Sequence, residues 1–197
     1  MRLALVYLAR GIGNGLAAAE SFFDAYGKFP AGCEHDLIVI CKGWYEPFER
    51  KKVCELASDF GAEIVFMPEQ GYDFGAYMRL IPMLSHDWVC FLSTNSKPIV
   101  KDWLQMIYSE AHKMAPPGIV GPTGSIGSIA GLYIPKVSCK SPKSLLRTLL
   151  FPLNLAYSFA SYIFKLKDFP RFPNPHIRSS SFMIKVSLFK EFASTRK

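Results

Sequence analysis

The stretch "EQGYDFGAY" (Glu69–Tyr77) places an acid, Asp73, between two glycines, Gly71 and Gly75. Phe74, Tyr77, Met78 and Ile81 follow at helical spacing, which predicts a helix over 73–84 with those four residues in the core. Asp73 then reads as the helix cap, its carboxylate accepting first-turn amide protons. A cap leaves Gly75 unexplained, because glycine inside a helical turn costs roughly 1 kcal/mol relative to alanine. Close approach of a ligand would account for it. Arg79, further along the helix, either reaches a phosphate or faces solvent.

Three other clusters carry chemistry. In "STNSKP" (Ser93–Pro98) the hydroxyls of Ser93, Thr94 and Ser96 and the amide of Asn95 are donors suited to phosphate or sugar oxygens. They are poor ligands for Mg²⁺ or Mn²⁺, which favour carboxylates, and Lys97 offers a compensating charge instead. Ser, Asn and Pro are also ordinary turn residues. "RGIGNG" (Arg10–Gly15) follows an apolar run ending at Ala9, and its glycines allow a close approach of backbone amides to a phosphate or base. The dinucleotide fingerprint fails at Leu16, whereas Gly11, Gly13 and Gly15 match the spacing of a methyltransferase loop. Both uses want an acid at the end of the second strand, and that strand ends in Cys41-Lys42. "NPHIRSSSFMIK" (Asn174–Lys185) reads as a strand with His176, Arg178 and Ser180 on one face, a set able to bind an anion or move a proton. No HExxH, Walker loop, GxSxG or zinc-like Cys/His spacing is present, so protease, P-loop and hydrolase chemistry lack support.

These residues need a scaffold, and the sequence alternates strand and helix. Strands are expected at 3–8, 36–41, 63–67 and 88–92, with a short one near 118–121. Helices are expected from the first glycine loop to about Lys28, at 46–60, 73–84 and 100–114, with Gly61 ending the second. The start "MRLALVYLARGIGNGLAAA" parses as strand, loop and helix rather than a signal peptide, since its apolar run is short and Arg10 interrupts it. The order implies a three-layer α/β/α sandwich with a mostly parallel sheet, its ligands outside the carboxyl ends of the strands. The loops at 9–15, 42–45, 68–73, 93–98 and 121–128 are then the binding candidates.

The 197 residues suit one domain, half hydrophobic and one fifth charged, which excludes wholesale disorder. Five cysteines without a CxxC pair fit a reducing cytosol, with Cys41 and Cys90 as buried thiols. Charge divides the chain: residues 1–135 hold 11 basic against 14 acidic side chains, residues 136–197 hold 12 against 2. The basic part, 136–171 above all, suits an anionic membrane surface, and residues 148–164 carry no charge. That stretch is short for a membrane span and equally suits a core helix.

Taken in order, "QGYDFGAY", "WVCFLSTNSKP", "GIVGPTGS" and "HIRSSSFMI" resemble the rhamnan synthesis protein F group of bacterial polysaccharide glycosyltransferases, relatives of the family 2 transferases of the GT-A fold. The resemblance spans roughly residues 1–190, and Gly71 to Ala76 is its most specific piece. It implies a single GT-A-like domain whose nucleotide-binding half is 1–135 and whose 136–197 part faces acceptor and membrane. It further implies sugar transfer from a nucleotide-sugar to a polysaccharide or lipid-linked glycan, in the cytoplasm at the inner membrane face, with no nucleic-acid partner. By the match, Ala9, Arg10, Gly11, Gly13, Gly71, Asp73 and Arg79 surround the nucleotide. Ser93 to Ser96 take the place of the usual metal-binding acids, and Lys97, Arg178 and Ser180 border diphosphate and acceptor. Asp73 and His176 are the candidate catalytic groups. The family generally keeps an Asn-Asp pair where this chain has Thr94-Asn95, so a divalent metal is not supported by the loop. Family members are often longer. Two alternatives stand beside this reading: a catalytically reduced module that binds sugar nucleotide or membrane, and a methyltransferase using Gly11–Gly15.

Overall fold

A computed structural model of the chain describes residues 2–127 and 174–195. The chain forms two compact units, one running to Thr123 and resuming at Ile177, the other spanning Gly124–His176.

The first unit is built on a five-stranded sheet. Its strands are β1 (Leu3–Arg10), β2 (Asp36–Lys42), β3 (Glu63–Met67), β4 (Trp88–Leu92) and, late in the chain, β7 (Ser181–Lys185). The spatial order is β3-β2-β1-β4-β7, parallel except for β7, which runs antiparallel to β4. Of the second unit, β5 (Gly124–Gly127) pairs with β6 (Asn174–Ile177), whose last residue belongs to the first unit.

Alternation along the strands feeds two cores. Leu5, Tyr7, Val39, Cys90 and Met183 face one side, where α1 (Gly15–Lys28), α2 (Pro47–Asp59) and α4 (Trp103–Lys113) bury Phe22, Phe23, Val53, Ala57 and Leu104. Val6, Leu8, Ile40, Phe91 and Phe182 face the other, covered by α3 (Asp73–Leu80), a 3₁₀ turn (Ile81–Met83) and α5 (Val186–Ser194). The expected α/β/α sandwich is therefore present. Both faces of β1, β2 and β4 are covered, which is why these strands read as unbroken apolar runs. Tyr7 stacks on Phe22 with ring centroids 3.7 Å apart, fixing α1 against the central strand. Cys41 and Cys90 are buried, and burial pushes both thiols up to about 12.

Four local expectations are corrected. The helix expected over 73–84 stops at Leu80, because Pro82 has no N–H to continue the α ladder, and the chain tightens into the 3₁₀ turn. The helix expected from Val100 begins at Trp103, after Asp102 adopts a left-handed conformation (φ 58°) and donates its N–H to the Pro30 carbonyl. The strand expected near 118–121 is a single bridge between Val120 and Met183. The strand expected over 174–185 is two: β6 ends at Ile177, and Arg178–Ser180 form a turn before β7. His176, Arg178 and Ser180 thus do not share one strand face. The basic, apolar stretch 136–171 lies outside the described residues. Among the described residues, no helix is long and apolar enough to cross a membrane.

Candidate functional site

Chain order runs outward from β1 to β3 and returns to β4 on the other side of β1. The sheet order thus switches between β1 and β4, where doubly wound sheets bind ligands outside the carboxyl ends. Here side chains stitch that switch point together. Tyr7 Oη donates to the Thr94 carbonyl and Thr94 Oγ1 donates to the Leu8 carbonyl, both at 2.9 Å.

The same accounting covers the rest of the 93–97 loop. Ser96 Oγ donates to the Ser180 carbonyl at 2.6 Å, and that carbonyl also accepts the Ser93 N–H at 2.8 Å. Ser93 Oγ and Ser96 Oγ lie 3.1 Å apart. Lys97 Nζ reaches back to Ser21 Oγ on α1 at 2.9 Å. The hydroxyls read as ligand donors therefore hold β4 to β1 and β7, while Asn95 and Lys97 are exposed. This donor set does not fit a hard divalent ion, since it contains no carboxylate and its hydroxyls bond elsewhere. Among the described residues, no group of three or more His, Cys, Asp or Glu side chains is placed to hold a metal.

The glycine loop after β1 has its own internal reasons. A methyl group on Gly11 would come within 2.6 Å of the Trp44 ring and 2.8 Å of the Gly43 carbonyl oxygen. On Gly15 it would sit 2.1 Å from the Arg10 carbonyl oxygen. Gly13 differs: it has φ 67° and open space around it. Trp44, buried, donates Nε1–H to the Ala9 carbonyl at 2.9 Å, so the ends of β1 and β2 are locked by packing.

Beside that lock lies a charge cluster that the sequence reading missed. Arg10 and Lys42 are register partners at the ends of β1 and β2. Glu69, from the loop after β3, comes between them. Its Oε1 accepts from Arg10 Nη2 at 2.6 Å and from Nε at 3.0 Å, and lies 3.7 Å from Lys42 Nζ. The bond from Glu69 raises the Arg10 pKa further, with Asp73 adding to the same effect through its charge. Lys42 is fully buried and donates to the Gly71 carbonyl and, at 3.4 Å, to that of Tyr72. The signal available in sequence was weak: a lysine closing the apolar run "DLIVICK", and an acid quoted within the glycine motif.

Asp73 is the first residue of α3, not its cap. Tyr72 holds the capping position, and no side chain caps the helix. The Asp73 carboxylate sits in the first turn, where the helix dipole favours negative charge. A methyl on Gly75 would meet just the Gln70 carbonyl at 3.5 Å, an ordinary contact, so the fold itself does not demand glycine there. Gly71 needs its freedom, having φ 67°. Arg79 is turned to the loop, donating to the Gln70 carbonyl at 3.1 Å and to Gln70 Oε1 at 3.3 Å. Arg178 is exposed on the turn after β6, and His176 lies in β6 within the second unit.

A cavity of about 280 Å³ opens at the ends of β2 and β3, lined among others by Trp44, Tyr45, Arg50, Phe66 and Glu69. Arg50 stands over the Phe66 ring, 4.2 Å from its centroid. Aromatic walls with a part-buried charge cluster reaching one side through Glu69 suit a planar polar ligand.

No family model matches the sequence, and no curated protein matches it. Solved structures do match in fold. 4-Diphosphocytidyl-2C-methyl-D-erythritol synthase from Anaerococcus prevotii aligns with TM-score 0.54 at 8% identity over 98% of this chain and 74% of that one. Glucosyl-3-phosphoglycerate synthase from Mycobacterium tuberculosis, in complex with UDP, aligns with TM-score 0.54 at 16% identity over 95% of this chain. This chain spans 57% of the length of that enzyme. A CMP:2-keto-3-deoxy-manno-octonic acid synthetase complexed with CTP gives 0.52 at 8% identity, covering all of this chain and 79% of the other. The fold is that of GT-A-like nucleotidyl- and glycosyltransferases.

Proposed function

We propose that this protein is a glycosyltransferase that takes its sugar from a nucleotide-sugar donor, a single GT-A-like domain acting in bacterial polysaccharide assembly. The observation that carries the reading is the convergence, at the carboxyl edge of the sheet, of Asp73, the Arg10–Glu69–Lys42 cluster and an aromatic-walled cavity. The similarity to enzymes solved with UDP and CTP supports it through the fold. In this reading the base lies in the cavity at the ends of β2 and β3. The diphosphate lies over the ends of β1 and α3, near Arg10 and Gly75, where an absent Cβ leaves room for it.

The chemistry then follows from charge. An acceptor hydroxyl attacks the anomeric carbon as its bond to the diphosphate oxygen breaks, and the departing group carries the electron pair. Preorganised cations stabilise that charge without reorganisation cost. Arg10 and Arg178 supply it here, with Asn95 as a neutral donor, rather than a metal held by carboxylates. Asp73 accepts the acceptor's proton. The acceptor proposed is a polysaccharide or lipid-linked glycan met in the cytoplasm at the inner face of the membrane, a reading supported by the basic composition of residues 136–171, which suits anionic lipid.

One observation favours a second reading. The 93–96 loop holds no carboxylate and commits its hydroxyls to internal bonds, which suits a module that binds a sugar nucleotide without turnover. The methyltransferase alternative loses its main support, because internal packing accounts for Gly11 and Gly15.

Calorimetric titration with UDP-, GDP- and dTDP-sugars and S-adenosylmethionine, each with and without Mn²⁺, separates these. Metal-independent binding of a nucleotide-sugar is expected, and Asp73→Ala should weaken it at least about tenfold, the scale of one charge-assisted contact. Binding of S-adenosylmethionine alone would overturn the reading. Donor binding with neither transfer nor hydrolysis across a broad acceptor panel would select the binding module.

A further inference from the structure

Lysine is among the residues least often found fully buried, yet Lys42 has no exposed surface. Withdrawing an ammonium from water costs several kcal/mol unless its partners compensate. Its register partner is a second cation, Arg10, and like charges abreast on neighbouring strands repel. A methionine would avoid both costs and extend the apolar run of β2. What the ammonium gains is a set of partners in one turn: the carbonyls of Gly71 and Tyr72 and, at 3.7 Å, the Glu69 carboxylate.

Besides Lys42, the Gly75 N–H holds this turn, donating to the Tyr72 carbonyl at 3.0 Å. No side chain caps α3, and Gly71 is in a left-handed conformation. Arg79 grips Gln70 from the exposed side, where such contacts contribute little. Lys42 grips from the dry side. The peptides 71–72 and 72–73 are trans, so each carbonyl and the following N–H point in opposite directions. Drawing both carbonyls onto Lys42 turns the N–H groups of Tyr72 and Asp73 away from it.

We propose that Lys42 is a positioning residue: from inside the sheet edge it holds the Gly71–Tyr72 turn, and so fixes where α3 and Asp73 begin relative to the donor. This rests on the nucleotide-sugar reading above, and the experiment separates the two. Wild-type protein is first titrated with UDP-, GDP- and dTDP-sugars. Failure of all of them sinks the donor reading and Lys42's role with it. With a donor that binds, Lys42→Met should raise the Kd at least tenfold at a temperature where circular dichroism shows it folded. Lys42→Arg, which keeps a cation and its N–H donors, should recover most of the loss. Unchanged affinity in folded Lys42→Met would overturn the Lys42 proposal and leave the donor reading standing. Should that variant not fold, wild-type protein decides. In ¹⁵N-lysine-labelled protein the Lys42 Nζ resonance should shift, and its protons exchange more slowly, on saturation with donor. A resonance indifferent to saturating donor would count against the proposal in the same way.

Discussion

With one oxygen, Glu69 accepts from Arg10 at 2.6 Å and faces Lys42 at 3.7 Å, while its other oxygen, Oε2, is buried and makes no hydrogen bond. Two cations share one acid, and one of the cations has no access to water. Removing a single partner from a buried ionic set leaves a charge without compensation, which costs about 3–5 kcal/mol. Glu69→Ala should therefore lower the unfolding free energy by that order, read as a fall in the urea midpoint. Glu69→Gln should cost less, because its amide oxygen still accepts from Arg10. The comparison is made by equilibrium denaturation of the two variants with a common slope. A Glu69→Ala protein as stable as the parent would mean that Lys42 draws its compensation from the Gly71 and Tyr72 carbonyls alone.

Among the elements, the loop joining β1 to α1 separates two uses of glycine within five residues. Gly11 and Gly15 are pressed against Trp44 and the Arg10 carbonyl, whereas Gly13 is needed for its positive φ and nothing crowds it. Overpacking a tight site costs about 1–3 kcal/mol, and a left-handed alanine about 1–2 kcal/mol. Gly15→Ala, with a 2.1 Å approach to backbone, should be the most damaging, Gly11→Ala next, and Gly13→Ala the mildest, measured as thermal midpoints. The order of elements was legible because covered strands read as apolar runs and amphipathic helices as a 3.6 period. Ends were less so: Pro82 and Asp102 moved two helix boundaries through backbone chemistry that periodicity does not see. Asp73 and Gly71 were visible as a motif. The pairing of Lys42 with Glu69 and Tyr72 was not, since it joins residues from different strand ends and no local spacing encodes it.

At the scale of the molecule, the two edges of the sheet are built differently. The amino edge is a clamp: Asp36 accepts from Arg2 Nη2 at 2.9 Å and pairs with His86 Nε2 at 2.8 Å, while Asp87 accepts the Arg2 N–H at 2.7 Å. Three strand starts are joined there, and the bond from Arg2, then that from His86, holds the Asp36 carboxyl below its usual range. A depressed carboxyl stabilises the fold above its unfolded pKa of about 3.9, and that contribution is lost as pH falls through the lower folded value. Asp36 is more than half exposed, so the effect is screened. Asp36→Asn should cost up to about 1 kcal/mol at pH 7, and the gap between variant and parent in urea melts should close as pH drops below about 4. The carboxyl edge draws instead on residues from late in the chain. Its 93–96 loop is pinned by the Ser180 carbonyl, through a bond that spans 84 residues of sequence. Strands β1 to β4 can pair with one another before residue 180 exists on a growing chain, but this loop cannot take its final shape until β7 docks beside β4. The final shape of this loop is therefore a late event in the life of each molecule, acquired after most of the sheet that carries it can have formed.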